Sequence, residues 1–170
     1  MAGNSHNKYC RQTLLGGNYE LLHKTTLLPN PDYYTAYFWN KLIGTSILET
    51  STSPQIEELR IYAACGRTPG DLIIIFINLS ETDDFTLHLE FDEIQAEAMR
   101  YAYILTSDGL ESQKTFVNGV EVKGVDENGD LIGLQTDGQD ALTDMKIPAR
   151  SYGYFQYQGS NVLVCNMQVE

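Results

Sequence analysis

The feature that most constrains the fold is a two-residue period that begins near residue 56. Apolar residues Leu59, Ile61 and Ala63 occupy every second position, and range 85–91 alternates in the same way. A period of two places one face of a β-strand on a core and the other face in water. Range 72–79 is instead an apolar run, as expected of a central strand that is covered on both faces. This half of the chain is therefore predicted to be built from strands.

Turn dipeptides divide the strand-like segments at intervals of about ten residues. The four dipeptides are Asp108-Gly109, Asn118-Gly119, Asn128-Gly129 and Asp137-Gly138. Each favours the left-handed backbone of a tight hairpin, and this spacing is typical of an antiparallel sandwich. The last two strands are expected at 151–157 and 161–165. The predicted fold class is mainly β, an antiparallel β-sandwich.

A different pattern precedes residue 50. A helix is predicted at about 31–43, where Asn30 is a good N-cap and Pro31 suits the first helical position. Apolar side chains recur on one face of it: Tyr34, Phe38 and Leu42. Gly44 is placed for a left-handed C-terminal cap. With a short strand at about 8–13 and a Gly-rich loop, the helix makes one β/α unit, which needs parallel neighbours.

Charge and composition exclude several functions. The net charge of −12 argues against binding to nucleic acid or to an anionic membrane surface. No segment approaches the roughly 18 apolar residues that a membrane span needs, and the first ten residues contain no signal-peptide core. The wide spacing of Cys10, Cys65 and Cys165 excludes a CxxC pair or a zinc knuckle. From spacing alone the three are read as small buried hydrophobic residues, with at least one free thiol.

Recognised catalytic patterns are absent from the sequence. The histidines, His6, His23 and His88, are expected in a terminus, a loop and a solvated strand face, and there is no G-x-S-x-G motif. A glycosidase needs two carboxylates on opposite sides of the sugar. The clustered acids are interpreted as solvated strand ends: Glu81, Asp83, Asp84, Asp92 and Glu93. No catalytic residue, metal ligand or cofactor site is predicted.

Two further motifs have a structural interpretation beside a functional one. Range 126–130 is similar to a calcium loop, but its sixth position is Leu131 and its twelfth is Asp137, so a hairpin turn is favoured. Asn78, in Asn78-Leu79-Ser80, is a formal glycosylation sequon and a candidate site in a secreted protein. Asn78 lies at the end of a strongly apolar strand, and this position disfavours glycosylation.

The most informative motif is RQTLLGGNY, from Arg11 to Tyr19. It combines a polar pair, glycines that permit close backbone approach, and an aromatic side chain with a hydroxyl. At the end of a strand in a (β/α)8 barrel, this is where ligands bind. The alternative is an ordinary turn with a packing tyrosine.

At this motif the sequence resembles the heparanase-type glycoside hydrolases, family 79. YCRQTLLGGNYELL and PNPDYYTAYFWNKLIGTSIL are similar to their eighth barrel strand, its loop and the closing helix. LRIYAACG, LIIIFINLS, LTSDGLESQKTFVNGVEV and IPARSYGYF are similar to their carboxy-terminal sandwich. The resemblance implies two domains, an incomplete (β/α)8 barrel at 1–48 and a β-sandwich at 49–170.

The resemblance also implies a reaction. The family cleaves β-glucuronidic bonds, in heparan sulfate or smaller glucuronides, with retention, using two Glu on the fourth and seventh barrel strands. Only ten residues precede Arg11 and none is acidic, so both carboxylates are expected outside this chain. Gln12, the backbone at Gly17, and Tyr19 match substrate-binding positions, with Tyr19 near the uronic acid carboxylate. The expected partners are a glucuronic-acid-containing glycan and the missing amino-terminal part of the barrel.

A disulfide between Cys65 and Cys165 is implied in the same way, which leaves Cys10 as a buried thiol on the barrel strand. Such a bond implies an oxidising compartment, and the full-length protein is expected to be secreted, in the extracellular matrix or lysosomal. The acidic charge departs from what a heparan sulfate cleaver needs, so a less sulfated glucuronide is an equal candidate substrate. The alternative function is a non-catalytic carbohydrate-binding or interaction module made of the sandwich.

Overall fold

The structure, a computed structural model, describes residues 10, 12–90, 98–160 and 162–166. Two helices and ten strands are present in these ranges. The helices are α1 (Pro31–Leu42) and α2 (Leu163–Asn166). The strands are β1 (Ile43–Leu48), β2 (Leu59–Gly66), β3 (Leu72–Asn78), β4 (Phe85–Leu87), β5 (Met99–Thr106), β6 (Thr115–Val117), β7 (Val120–Val122), β8 (Gln139–Asp140), β9 (Met145–Ile147) and β10 (Ser151–Gln158).

The strands form one large and one small antiparallel sheet. The large sheet has the order β1-β2-β3-β10-β5-β6-β7, with β8 added on β5, and β4 pairs with β9 in the small sheet. The predicted mainly β, antiparallel fold class is confirmed. The apolar run at 72–79 gives β3, which lies between β2 and β10 as a central strand should.

Both faces of the large sheet are covered. One face packs against β9 of the small sheet, through a buried cluster that includes Ala63, Ile74, Phe76, Met145, Ile147 and Phe155. The other face packs against α1, through a cluster that includes Tyr34, Phe38, Leu42, Ile73, Leu105 and Tyr154. Each large side chain buried in this way contributes about 1.5–3 kcal/mol. Alternate residues of β3 therefore belong to the two different cores, as expected of a strand that is covered on both faces.

Two of the four Asx-Gly dipeptides form the predicted tight turns. Asn118 and Gly119 have positive φ angles of 52° and 80° and join β6 directly to β7, as a two-residue hairpin requires. Asn128-Gly129 closes a turn flanked by a bridge between Val125 and Leu131. Asp108-Gly109 lies instead in the longer loop between β5 and β6, and Asp137-Gly138 immediately precedes β8.

Two local predictions at element ends are wrong. Gly44 is not a left-handed cap, because Ile43 caps the helix in extended conformation and the chain continues directly into β1. The expected strand at 161–165 is replaced by the short helix α2. Cys165 in α2 and Val162 just before the helix are buried, while Leu163 and Val164 are exposed. This is a helical spacing, which an unbroken apolar run does not distinguish from a strand.

The strand expected at 8–13 is not formed at its described positions, Cys10, Gln12 and Thr13, and the other positions lie outside the described residues. Carbonyls that a neighbouring strand would use bond within the loop instead: Thr13 and Leu14 accept from the amides of Leu21 and Leu22. The large sheet begins at Ile43, and the division at 48/49 stays a prediction. Within the described ranges, no helix combines the length and the apolar character that crossing a bilayer requires.

Candidate carbohydrate-binding loop

The segment that precedes α1 folds back on itself. The amide of Leu21 donates to the carbonyl of Thr13 over 3.0 Å, and Leu22 donates to Leu14 over 2.9 Å. A second pair of contacts, the bridge between Leu22 and Pro29 and the 2.9 Å bond from His23 to Leu28, closes the following turn. The segment is thus a folded loop in which Leu21 bonds to Thr13 near its first end and to Asn30, beside the start of the helix, at its last.

Glu20 organises this loop from within. Its side chain is buried, with Oε2 accepting a bond from the Gly16 amide at 2.9 Å and Oε1 accepting one from the Lys24 amide at 2.6 Å. The amide of Lys24, followed by those of Gly16 and Gly17, lowers the pKa of the Glu20 carboxyl. Sequence reasoning missed this residue. The signal that could have found it is an acid four residues after a glycine and directly before an apolar pair.

The predicted substrate-binding residues lie on this one loop. Gln12 is exposed, Gly17 is half-buried, and the side chain of Tyr19 is 67% exposed. A Cβ atom at Gly17 would lie 2.7 Å from Cγ2 of Thr13, which explains why glycine stands there. The Thr13–Leu21 bond brings the two flanks of the loop together. That these groups contact a sugar stays a prediction.

Helix α1 is clamped to the sheet through tyrosine hydroxyls. The hydroxyl of Tyr34 donates to the Val122 carbonyl over 2.9 Å, and that of Tyr154 donates to the Thr35 carbonyl over 3.3 Å. Burial raises the pKa of Tyr34 to about 12. The side chain of Asn30, although at the N-cap position, makes no capping bond and donates to the Glu20 carbonyl at 2.8 Å. The loop, the helix and the sheet are therefore connected by hydrogen bonds.

The opposite face of α1 is also aromatic. Tyr33 and Tyr37 are only partly buried, and they line a groove of about 400 Å³ with Leu21, Ala36, Asn40 and Lys41. Lys41 donates to the Tyr37 hydroxyl at 2.9 Å and pairs with Asp130. A helix with apolar residues on both faces is usually buried on both.

Cys65 and Cys165 form a disulfide, the pairing that the family resemblance implies. Both residues are fully buried, their Cα atoms are 5.2 Å apart, and 100 residues separate them in sequence. The bond ties α2 to β2. Cys10 is exposed, so its expected burial is wrong, because its surroundings in the described structure include no strand that covers it.

A buried polar network lies beside the disulfide. The carboxylate of Asp71 accepts bonds from Nε2 of Gln156 at 2.9 Å and from the amide of Gly159 at 3.4 Å. Oε1 of Gln156 in turn accepts a bond from the Tyr103 hydroxyl at 3.2 Å. Burial raises the pKa of the Asp71 carboxyl, against the effect of these donors. The network secures the end of β10 against the start of β3.

Asn78 has a structural role that conflicts with glycosylation. It is 2% exposed, and its Nδ2 donates to the carbonyls of Pro148 at 2.8 Å and Asp83 at 2.9 Å. Its Oδ1 accepts the Ser80 amide at 2.9 Å. The sequon therefore builds the turn after β3, and a glycan on Nδ2 would displace bonds that this turn needs. The glycosylation hypothesis does not fit this geometry.

The remaining acidic and histidine side chains make exposed contacts. Glu81 pairs with Arg150 at 3.1 Å, and His88 pairs with Asp144 at 2.9 Å. Asp83 and Asp84 are exposed, whereas His6, Asp92 and Glu93 lie outside the described residues. Nδ1 of His23 accepts the Thr26 amide at 3.2 Å.

The calcium-like segment 126–130 forms the predicted turn. Oδ1 of Asp126 accepts the amides of Asn128 and Asp130 at 2.9 and 3.0 Å. The amides of Asp130 and Asn128 lower the pKa of the Asp126 carboxyl. In the described part of the chain, no group of three or more His, Cys, Asp or Glu residues is arranged to hold a metal ion.

Comparison with known proteins gives consistent relatives. The chain is 32% identical to the hyaluronoglucuronidase of Hirudo nipponia over 96% of this chain and 34% of that protein. It is 40% identical to heparanase-like protein 2 of Arabidopsis thaliana over 69% of this chain and 21% of the relative. It is 31% identical to the heparanase of Rattus norvegicus over 91% and 30% of the two chains. The chain spans about a third or less of the length of these relatives.

The fold has a counterpart among solved structures. The arabinose-bound MgGH51 α-L-arabinofuranosidase matches 86% of this chain with 23% of its own, at a TM-score of 0.52 and 15% identity. No protein-family model matches the chain. The match to the Hirudo nipponia protein, over 96% of this chain, includes the loop and α1 as well as the sheets. The chain is a homologue of the heparanase, heparanase-like and glucuronidase proteins of the glycoside hydrolase family 79 type.

Proposed function

We propose that this chain forms the carboxy-terminal part of a heparanase-like retaining β-glucuronidase. One observation carries the proposal: similarity to the leech enzyme runs through 96% of the chain but covers 34% of that enzyme. A free-standing module would use α1 to cover one face of its sheet, but it has no need of the loop at 12–30 that precedes the helix. The catalytic Glu pair belongs to the part of the enzyme that this chain does not include.

The two ends of the chain have different tasks in this enzyme. Residues 1–48 complete a (β/α)8 barrel, and residues 49–170 are a sandwich that braces it. The end of the first range connects the two, because β1 pairs with β2 and α1 packs on the large sheet. The two-sided helix supports this division, because Tyr34 and Phe38 are buried on the sheet while Tyr33 and Tyr37 line an open groove. A neighbouring barrel layer would cover that groove.

The loop supplies part of the cleft wall. The Gln12 side chain, the backbone at Gly17 and the Tyr19 hydroxyl offer hydrogen-bond donors and acceptors that suit sugar hydroxyls, with Tyr19 toward the uronic carboxylate. The reacting groups are an acid/base Glu and a nucleophile Glu about 5 Å apart, the geometry that gives retention. The substrate is a glucuronic-acid-containing glycan. Because the net charge of this part of the enzyme is −12, a sparsely sulfated glucuronide is as good a candidate substrate as heparan sulfate.

The Cys65–Cys165 disulfide indicates the compartment in which the full-length protein works. A buried disulfide persists where the surroundings are oxidising, and the Cys65–Cys165 bond lies in the core. The full-length protein is accordingly a secreted, extracellular-matrix or lysosomal enzyme.

The proposal is tested by joining the chain to the amino-terminal two thirds of the Hirudo nipponia enzyme and assaying a fluorogenic β-glucuronide. The fusion is expected to hydrolyse it with retained anomeric configuration, and the 170-residue chain alone is expected to be inactive. Tyr19→Phe should lower kcat/KM of the fusion about tenfold, for one lost hydrogen bond to the substrate. Leu110→Ala, at a side chain that is 90% exposed, is the control. Turnover by the chain alone would contradict the proposal.

The second candidate is a non-catalytic carbohydrate-binding or interaction module. It is favoured by the two cores that the chain completes by itself. Titration of the isolated chain with glucuronide oligosaccharides separates the candidates. Binding by the isolated chain, together with an inactive fusion, would support the module.

A further inference from the structure

The loop that carries Gln12, Gly17 and Tyr19 contains a buried carboxylate, that of Glu20, in addition to its backbone hydrogen bonds. Glu20 reaches in two directions, with one oxygen on the Gly16 amide and the other on the Lys24 amide. These two amides lie four residues before and four residues after it. A carboxylate that accepts two backbone amides binds more strongly than a neutral acceptor would. The side chain therefore spans the glycine turn on one side and the following turn on the other.

The backbone of the same residue connects the loop to the helix. The carbonyl of Glu20 accepts Nδ2 of Asn30 at 2.8 Å, and the neighbouring Leu21 carbonyl accepts the Asn30 amide at 2.8 Å. Glu20 is thus bonded to the glycine turn, to Lys24 and to the residue that begins α1. Few other polar side chains in this loop are buried: Gln12, Asn18 and Tyr19 are exposed.

We propose, on the basis of the proposed function, that Glu20 is a positioning residue for sugar binding. It holds the Gly16–Gly17 turn and the adjacent Tyr19 in one arrangement, and it does not contact the sugar. The ionised form performs this task because both oxygens must accept. A glutamine has one acceptor oxygen and an NH₂ group, which would face a backbone amide, and alanine has neither. Loop order and substrate affinity should therefore be highest with Glu at position 20, lower with Gln and lowest with Ala.

The first experiment measures amide hydrogen exchange of the 170-residue chain by NMR. In Glu20→Ala, the Gly16 and Lys24 amides should exchange about tenfold faster or more, as expected for the loss of a charge-assisted bond. Glu20→Gln should give an intermediate rate, and Glu111→Gln, at an exposed acid in the β5–β6 loop, should leave both rates unchanged. The two amide shifts should also titrate together below the ordinary pKa of 4.5, because the pKa of Glu20 is lowered.

The second experiment uses the active fusion described above. Glu20→Ala should raise KM for the fluorogenic glucuronide about tenfold with little change in kcat, since a preorganised wall contributes to ground-state and transition-state binding alike. Glu20→Gln should recover part of the affinity. Unchanged exchange of Gly16 and Lys24 would overturn the clamp, and accelerated exchange with an unchanged KM would overturn its role in binding. An inactive unmodified fusion would overturn the proposed function and the binding role with it, whereas the exchange data would still test the clamp.

Discussion

The hydroxyl of Tyr34, on α1, donates a 2.9 Å hydrogen bond to the carbonyl of Val122, at the last position of β7. The two residues are separated by 88 positions in the chain. The contact fixes the helix against the far edge of the large sheet, and both groups are buried. Its removal leaves a buried carbonyl without this donor.

Tyr34→Phe should destabilise the chain by about 1–2 kcal/mol, the usual cost of orphaning a buried acceptor. Urea unfolding followed by circular dichroism gives the free energy. Tyr37→Phe, which removes the bond to Lys41 on the outer face of α1, is the matched control and should cost less than about 0.5 kcal/mol. Equal losses for the two variants would show that the Tyr34 bond does not stabilise the fold.

The same phenol makes stability sensitive to alkali. An unfolded tyrosine ionises near pH 10, whereas burial raises the pKa of Tyr34 to about 12 in the folded chain. The folded state then retains a proton that the unfolded state loses, so the free energy of unfolding falls as pH rises above 10. Between pH 10 and 12, Tyr34→Phe should lose stability less steeply than the parent chain. Parallel pH profiles would contradict this linkage.

The disulfide should be the largest single covalent contribution to stability. Replacing Cys65 and Cys165 together by alanine should cost about 3–5 kcal/mol, as for a loop of this length. Differential scanning calorimetry under oxidising and reducing conditions measures the effect. Cys10→Ser, at the exposed thiol, should leave the melting temperature unchanged. If reduction does not lower the melting temperature of the parent chain, the bond does not stabilise the fold.

Asp71 should favour the fold more at acidic pH than at neutral pH. Burial raises the pKa of its carboxyl above 3.8, so the stability that its protonation brings is present below 3.8 and is lost as pH rises through the raised value. The difference in unfolding free energy between the parent chain and Asp71→Asn isolates this group from the other carboxylates. As the pH is lowered from 7 to 4, the unfolding free energy of the parent chain should rise relative to that of Asp71→Asn. A difference that is constant with pH would sink the idea.

Asn78 is expected to remain unmodified when the chain is expressed in a secretory pathway. Because Nδ2 is buried on two carbonyls, glycosidase treatment should not change the electrophoretic mobility. Asn78→Ala should destabilise the chain by about 2–3 kcal/mol, for several buried partners left unsatisfied. Leu79→Ala, at a neighbouring side chain that is 59% exposed, serves as its control. A mobility shift that requires Asn78 would contradict the structural role.

Local chemistry accounts for the parts of the fold that the sequence predicts well. The backbone preference of Asn118-Gly119 is enough to predict a hairpin there. The spacing of Tyr34, Phe38 and Leu42 is likewise enough to predict a helix with one buried face. The predictions of a helix cap at Gly44 and of a strand at 161–165 were wrong for a different reason. Pairing of β1 with β2, and the bond from Cys165 to Cys65, are contacts with distant residues that override the local signal.

The candidate loop was predicted from the resemblance of its motif to a known family, but the hydrogen bonds of Glu20 that support the loop were not predicted. Gln12, Gly17 and Tyr19 stand in a motif, whereas Glu20 is recognisable only after folding brings the Gly16 and Lys24 amides to its two oxygens. Hydrogen bonds that backbone amides donate to a side chain leave little trace in the sequence, because nearly every residue type carries such an amide.

The position of β10 has a consequence for synthesis of the chain. β10 lies between β3 and β5, with seven residue pairs on each side. Within the described large sheet, β1–β3 are therefore joined to β5–β7 only through β10, the last strand to be made. At Gly153 the neighbouring backbone comes so close that an added Cβ would lie 2.0 Å from the Tyr103 carbonyl. A ribosome must therefore deliver residues through Gln158 before the large sheet is continuous. A premature stop near residue 150 would leave the facing edges of β3 and β5 unpaired, although α1 would still contact both groups of strands, for example through the Tyr34–Val122 bond.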